Sequence, residues 1–394
     1  MNNNEINPTE EIVGKNKLKS LLTRFGKGIG HFFCNAPKVC IGFFIAAAVA
    51  AVLHILSSLF PAFADFMIKY PCAGFRFIAA KLTMWIPFSL AEMLVILLPV
   101  IFISLIVCGI IVSTKGSQKQ YISMTAGLLS AISFFYISFV FTLAPGYKGS
   151  SLDKKLGLPA EKVSAKELYD TASYLTEKIN AIIGSVGFAP DGSSVMPYDL
   201  DELNNKLNDA YKKASAKYNF ISPLRSNLKY VIMSEPMSYT HITGVYTYFT
   251  GESNINVNFP DYTIPYTAAH ELAHQRGIAR ENEANFVAFL ASLESDDSYI
   301  LYSAYTNMLE YVLNALSTAD SELYNSLWSK FDRNTVKEFN AYSLFFKKYQ
   351  HSTASTISSA INNSYLQSQG VKEGSRSYGL VVDLTVAYCK TLSE

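Results

Sequence analysis

Three long apolar runs dominate the first third of the chain: about Val39–Phe60, Pro87–Val112 and Tyr121–Leu143. Each exceeds the roughly 20 helical residues needed to cross a hydrocarbon core. Glu92 is the only ionised residue expected inside them. It sits near the start of the second run, and we expect it to reach the interface rather than serve as a buried functional carboxylate. His54, inside the first run, is expected to be a neutral, packed side chain. The first run starts late, is long and is followed by two more, so a cleaved signal peptide is not expected.

Beyond residue 143 the pattern changes to that of a folded soluble domain. Residues 144–162 are polar, with Pro145, Gly146 and Gly149, and read as a linker. Ser164-Ala165-Lys166-Glu167 is a capping box opening a helix to about Ile183. A turn-rich stretch, Gly184–Pro197, precedes a second helix from Asp199 to about Tyr218. Pro223–Ser234 reads as extended or short helical structure. Thr243–Thr250 and Ser253–Phe259 alternate with β-branched and aromatic residues around Gly251-Glu252, the pattern of a hairpin. Helices are expected over Tyr299–Leu316, Ser321–Phe331, Arg333–Tyr349 and about Ser377–Thr391. The fold class expected is therefore mainly α: three N-terminal transmembrane helices, then a mostly helical domain with a small β element. The expected divisions are a tail over 1–38, a membrane region over 39–143 and a single domain over 144–394, large enough to bury its own core.

Basic residues set the expected orientation. Lys15, Lys17, Lys19, Arg24, Lys27 and Lys38 precede the first span, and Lys115 and Lys119 lie between the second and third. The positive-inside rule places both segments in the cytoplasm and 144–394 outside the cell membrane. Lys69, Arg76 and Lys81, between the first two spans, pull weakly against this. The lipid bilayer is thus an expected partner. A net charge of +1 argues against general nucleic-acid binding. Of the 5 cysteines, Cys72 and Cys389 would face outside, where two unpaired thiols are the default expectation. No C-x-x-C pair supports a zinc finger.

The candidate chemistry lies at His270-Glu271-Leu272-Ala273-His274. On a helix, residues four apart share a face, so both imidazoles can reach one metal ion, with Glu271 placed to handle the proton of a water beside it. With 6 His in 394 residues, H-E-x-x-H is expected by chance roughly 0.004 times in such a chain. Thr263 and Pro265 suit the start of a helix over roughly Tyr266–Arg276, and Gly277 suits its end. A catalytic zinc takes a third protein ligand and leaves a position for water. Glu281 and Glu283, opening a helix over Ala279–Leu293, both qualify. Glu281 is preferred, because Asn285 lies one turn further on the same face and can orient a ligating histidine. Ile255–Phe259 is a candidate strand for pairing with an extended peptide. His241, Tyr246 and Tyr378 are candidate donors to an oxyanion.

The run His270–Arg280 reads H-E-x-x-H-x-x-G-x-x-R. It resembles the metzincin pattern with Arg280 in place of the third histidine. Arginine cannot coordinate zinc, but the glycine turn can still bring the following segment back to the metal. The E-x-x-x-N spacing of Glu281 and Asn285 resembles the third-ligand helix of glutamate-ligand zinc peptidases. The stretch HELAHQRGIARENEANFVAFLA, the late run Ser377–Leu384 and the order of parts resemble the domain-of-unknown-function family 3810 of bacterial membrane proteins. That resemblance implies a zincin-like domain and a membrane-anchored zinc-dependent peptidase. Its ligands would be His270, His274 and Glu281, its base Glu271, its cofactor Zn2+ and its substrate a peptide or protein. The alternative is a non-catalytic zinc-binding sensor or interaction domain at the membrane surface.

Overall fold

The computed structural model describes residues 23–24, 26–158, 162–371 and 380–392. The basic residues before Thr23, the candidate donor Tyr378 and the expected helix start at Ser377 lie outside the described residues. The molecule is mainly helical, with five short strands among the described residues.

Three helices are long and apolar enough to cross a membrane: Lys38–Leu59, Leu90–Lys115 and Gln118–Thr142. Only 11%, 0% and 22% of their most apolar windows are buried by the chain itself. That surface must be covered by something other than this protein, and hydrocarbon is the solvent it suits.

By packing, the chain forms two compact units. One comprises Met1–Ala51 and Leu97–Ile137, the other Val52–Ile96 and Ser138–Glu394. Within the first, Ala36, Cys40, Ile122 and Ala126 form a small apolar cluster. The second does not begin at residue 144, where the sequence changes character. It takes in the whole segment between the first two spans, which the apolar pattern treats as a connecting loop.

That segment is helical, forming Pro61–Lys69 and Pro71–Thr83, each with proline in its first turn. Arg76 is buried and donates from Nη1 to the Thr142 carbonyl at 3.0 Å and from Nη2 to the Ile68 carbonyl at 3.0 Å. Lys81 donates to the Arg225 carbonyl at 3.1 Å, and Asp65 accepts the Ser150 hydroxyl at 2.6 Å. Arg76 and Lys81 therefore serve protein carbonyls. Shared packing thus joins the 61–86 segment to the part of the chain that follows the third span.

Two acids complete this junction. Glu92 lies in the first turn of the second span. It is buried and accepts the backbone N–H groups of Ile232 at 3.0 Å and Met233 at 2.7 Å. Glu252, in the β element, accepts the Leu90 and Ala91 N–H groups, each at 3.2 Å. It thereby satisfies orphan donors at the start of the second span and meets the positive end of that helix.

In the second unit, Ser298–Ala319 packs along Ala165–Ile182 and also against a central pair, Thr263–Gln275 and Glu281–Leu293. The capping box forms as the sequence indicates: Ser164 and Glu167 exchange side-chain and backbone bonds. Asp199 caps Leu200–Lys217. The core runs through Leu175, Ile179, Leu207, Leu272, Phe286 and Leu309, all essentially inaccessible. The chain closes with Val381–Thr391, whose Val381 and Val382 join this core. Cys72 and Cys389 are buried and not bridged to each other.

The larger β element is a three-stranded sheet. Glu252–Ile255 is its centre, parallel to Leu228–Tyr230 on one side and antiparallel to Gly244–Thr247 on the other. Gly251, at φ 73°, makes the turn of the hairpin, a conformation glycine adopts without the cost a Cβ imposes. Of the segment expected to receive a peptide, Ile255–Phe259, only Ile255 lies in a strand, and that strand has both edges filled; residues 256–260 leave the sheet as turn and loop. Gly244–Thr247 is the sheet edge beside the central pair.

Candidate functional site

The helix Thr263–Gln275 carries the H-E-x-x-H residues through the middle of the domain. It begins slightly earlier than expected. Thr263 is its first residue rather than its cap and donates from Oγ1 to the Pro260 carbonyl at 2.8 Å. Every residue of this helix is buried except His270. Tyr211 donates to the Ala269 carbonyl at 2.6 Å, Ser253 to the Glu271 carbonyl at 3.0 Å, and Gln275 to the Gly251 carbonyl at 2.7 Å. The Arg276 guanidinium lies 4.0 Å from the centre of the Tyr211 ring. The helix is thus clamped to the sheet and to Leu200–Lys217, which fixes the direction of both imidazoles.

Gly277, at φ 96°, reverses the chain. A Cβ there would lie 2.6 Å from the Arg76 guanidinium carbon, so the turn needs glycine for its dihedrals and for this close approach. After the turn, the Ile278 carbonyl accepts from His274 Nδ1 at 2.7 Å. With this bond fixing Nδ1 as a donor, Nε2 is the His274 atom left toward Glu281 and the one that can act as a ligand once it gives up its proton. The orienting partner is this backbone carbonyl, not Asn285. Asn285 is buried with its side-chain nitrogen unpartnered, and His270 Nδ1 also lacks a partner.

The chain then enters Glu281–Leu293. Glu281 Oε2 lies 3.3 Å from His270 Nε2 and 3.5 Å from His274 Nε2. One ligand atom from each of the three residues falls within 4.8 Å of the others. Among the described residues this is the one such cluster. Glu283 points elsewhere. It accepts the Leu152 N–H at 3.0 Å and pairs with Arg280 Nη1 at 2.8 Å. Arg280 also donates from Nη2 to the Tyr147 and Gly149 carbonyls, at 3.0 and 2.7 Å. The two acids that look equivalent in sequence are therefore divided by the helix turn between them: Glu281 joins the histidines, and Glu283 anchors the chain that follows the third span.

The cluster is recessed but open. The side chains of His270, His274 and Glu281 keep 13%, 10% and 14% of their surface exposed. Burial opposes the charge on Glu281, yet His274 and His270 outweigh it and hold the carboxyl well below its usual range. Burial likewise opposes charge on His274, and Glu281 and Glu271 outweigh it, pushing the ring up to about 9. Glu271 stands beside the cluster with a different balance. Burial pushes its carboxyl up, more than the neighbouring imidazoles pull it down. It is 4% exposed, and its Oε2 has no hydrogen-bond partner. The Tyr246 backbone N–H faces it and favours its charge. Gly244 presses on it from the strand: a Cβ there would lie 2.6 Å from Glu271 Oε1.

The remaining sequence candidates do not gather here. His241, at φ 59°, has its Nε2 against the Tyr349 carbonyl at 2.8 Å and its ring against Phe346. Tyr246 contributes its backbone N–H, while its ring is buried with Leu143, Tyr147 and Ala279. Two phenols that sequence reading passed over, Tyr311 and Tyr365, feel the Glu281 charge, and burial pushes Tyr365 up to about 12. Tyr365 comes from Thr353–Ser368, a helix whose serine- and threonine-rich sequence carries little helical signal.

A mainly helical protein with three membrane-crossing helices and a recessed His-His-Glu cluster is the class these features define. Residues 72–386 match the family model described as protein of unknown function (DUF3810), and the chain belongs to that family. The match spans the second and third membrane helices, the cluster and the start of the closing helix. Among curated proteins and solved structures, nothing matches.

Proposed function

We propose that this protein is a membrane-anchored zinc-dependent peptidase, with His270, His274 and Glu281 as metal ligands and Glu271 as general base. The observation that carries this reading is the spacing around Glu281 Oε2, 3.3 and 3.5 Å from the two Nε2 atoms. Two tetrahedral zinc bonds of about 2.0–2.1 Å set their donor atoms about 3.4 Å apart. The donor set of two imidazoles and one carboxylate suits zinc, and three protein ligands leave a position for solvent.

Bound zinc supplies a Lewis acid for the scissile carbonyl and lowers the pKa of water toward neutrality. The remaining chemistry belongs to the chain. The unpartnered Oε2 of Glu271 takes the proton of the attacking water and returns it to the departing amine. The Tyr246 N–H favours the charge of that carboxylate, and the close wall at Gly244 holds it in place. Gly244–Thr247, the last strand of its sheet among the described residues, offers its remaining backbone groups to an extended peptide. Tyr311 and Tyr365, kept protonated by burial, can donate hydrogen bonds. The orientation we propose has the tail and the 113–120 segment in the cytoplasm and this unit outside.

Removing the metal tests the reading directly. Hydrolysis of a peptide library by the full-length protein is expected to vanish on exhaustive chelation and to return with one equivalent of zinc. Hydrolysis that persists in verified metal-free protein contradicts it. A second expectation concerns the wall behind the base. Gly244→Ala forces Glu271 to move, because the new methyl would sit 2.6 Å from Oε1 and 2.7 Å from Cγ. Zinc content should be unchanged while kcat falls roughly 100-fold, the usual scale for an ångström of misplacement. Unaltered kcat would mean that the position of Glu271 is irrelevant to the chemistry.

A further inference from the structure

We infer that the substrate is the juxtamembrane stretch of a membrane-anchored polypeptide, presented to this site at the bilayer surface. The inference rests on the peptidase reading and adds the class of substrate.

Two routes lead from the end of the third span to the cluster, the first through direct contacts and the second through ring contacts completed by the charge of Glu281. In the first, the Thr142 carbonyl at the end of the span holds Arg76, and Arg76 packs under Gly277, the turn between His274 and Glu281. In the second, the Phe139 ring, in the last turn of the span, meets the rings of Tyr248 and Tyr365 at 5.6 and 6.3 Å. Tyr365 in turn feels the Glu281 charge. Leu143 and Tyr147 pack with Tyr246, whose N–H faces Glu271. No domain thickness separates the site from the membrane helix: the same few residues finish the span and support the cluster.

The second observation is the surface beneath the sheet. Pro61–Lys69 and Pro71–Thr83 turn Ala64, Met67, Cys72, Arg76 and Ala80 inward, where they are buried. Outward they and the following turn present Phe66, Tyr70, Phe77, Ile78, Leu82 and Trp85, which are between 50% and 83% exposed. Large apolar and aromatic side chains on short helices next to span ends are the composition of an interfacial segment, with tryptophan and tyrosine at headgroup level. The hairpin turn at Gly251 sits on this platform, since a Cβ there would lie 2.7 Å from that of Ala79. Glu252, the next residue, caps the second span. The peptide-binding edge is therefore one strand away from a membrane-seated floor. A chain anchored in the same bilayer is confined near that edge, at an effective concentration that a free peptide lacks.

The test uses full-length protein in phosphatidylcholine–phosphatidylglycerol nanodiscs. The chain has 2 tryptophans, so Trp328→Phe leaves Trp85 as the single reporter. Its fluorescence should be quenched by phosphatidylcholine brominated on the upper acyl chain and little affected by aqueous iodide. Strong iodide quenching, or shielding from both quenchers as at a protein–protein contact, overturns the inference. In parallel, one peptide sequence is supplied free, palmitoylated, and fused to a transmembrane helix. At equal bulk concentration the two anchored forms should be cleaved roughly 100-fold faster or more. Preference for only one of them identifies the anchor as acyl or helical. Equal rates for free and anchored forms overturn the inference and leave the peptidase reading intact. If Trp85 is lipid-quenched but the zinc-loaded protein cleaves none of the three, the peptidase reading fails and this inference falls with it.

Discussion

Glu271→Gln is expected to abolish peptide hydrolysis while zinc remains bound. Glutamine matches glutamate in shape and can still face the Tyr246 N–H, so the wall at Gly244 and the helix Thr263–Gln275 stay undisturbed. The substitution also removes a charge that burial disfavours, so folding should not suffer. What disappears is the proton acceptor. General-base contributions of roughly 10²–10⁴-fold set the expected fall in kcat, with KM little changed because the metal and the strand edge still bind peptide. The same variant separates the peptidase from a non-catalytic zinc sensor, which has no use for a buried carboxylate with an unpartnered oxygen beside its metal. Equal hydrolysis by Glu271→Gln and the unaltered protein would dismiss Glu271 as the base.

The second large effect divides two neighbouring acids. Glu281→Ala removes the oxygen that lies within 3.5 Å of both Nε2 atoms. It should lower zinc affinity by more than the roughly 10–100-fold typical of losing a group that only orients a ligand. Glu283→Ala should leave zinc stoichiometry and affinity unchanged and act on the fold instead. It strands the Leu152 N–H and one arm of Arg280, a loss of roughly 1–3 kcal/mol for buried partners left unsatisfied. Isothermal titration with zinc and thermal unfolding of the same two preparations check both halves. A Glu283→Ala protein that folds normally and cannot hold zinc would reverse the assignment.

Much of this was legible in the residue order. Apolar length identified the three membrane helices because hydrocarbon imposes its own thickness on a spanning helix. The 3.6-residue period placed His270 and His274 on one face, and Gly277 marked the reversal that returns Glu281 to them. The choice between Glu281 and Glu283 rested on the spacing to Asn285, and the favoured acid is the one beside the histidines. The reason was different, however. Asn285 makes no bond to either ring, and the partner of His274 is the Ile278 carbonyl, a backbone group with no signature in side-chain pattern.

The failures have a common physical source. Residues 61–86 carry basic and aromatic side chains that, taken alone, suit a loop. Their role depends on carbonyls far away in sequence, at Thr142 and Arg225. The burial of Glu92 was not legible because its partners, the N–H groups of Ile232 and Met233, lie 140 and 141 residues later. The helix Thr353–Ser368, which supplies Tyr365, forms despite weak intrinsic propensity. Long-range burial decides each of these cases, and local periodicity does not report it. One practical consequence follows for any soluble fragment beginning at 144: it would lack Arg76 beneath Gly277 and the helix on which Gly251 rests, so the full chain is the proper material for every experiment above.

Zinc-edge X-ray absorption on the purified full-length protein, with metal content measured on the same sample, tests the central claim most directly. The account predicts one zinc per chain, with two imidazole nitrogens, carboxylate oxygen from Glu281 and at least one exchangeable solvent oxygen at about 2.0–2.1 Å. A protein that takes up no zinc, or one whose zinc is closed by a fourth protein donor, would contradict it.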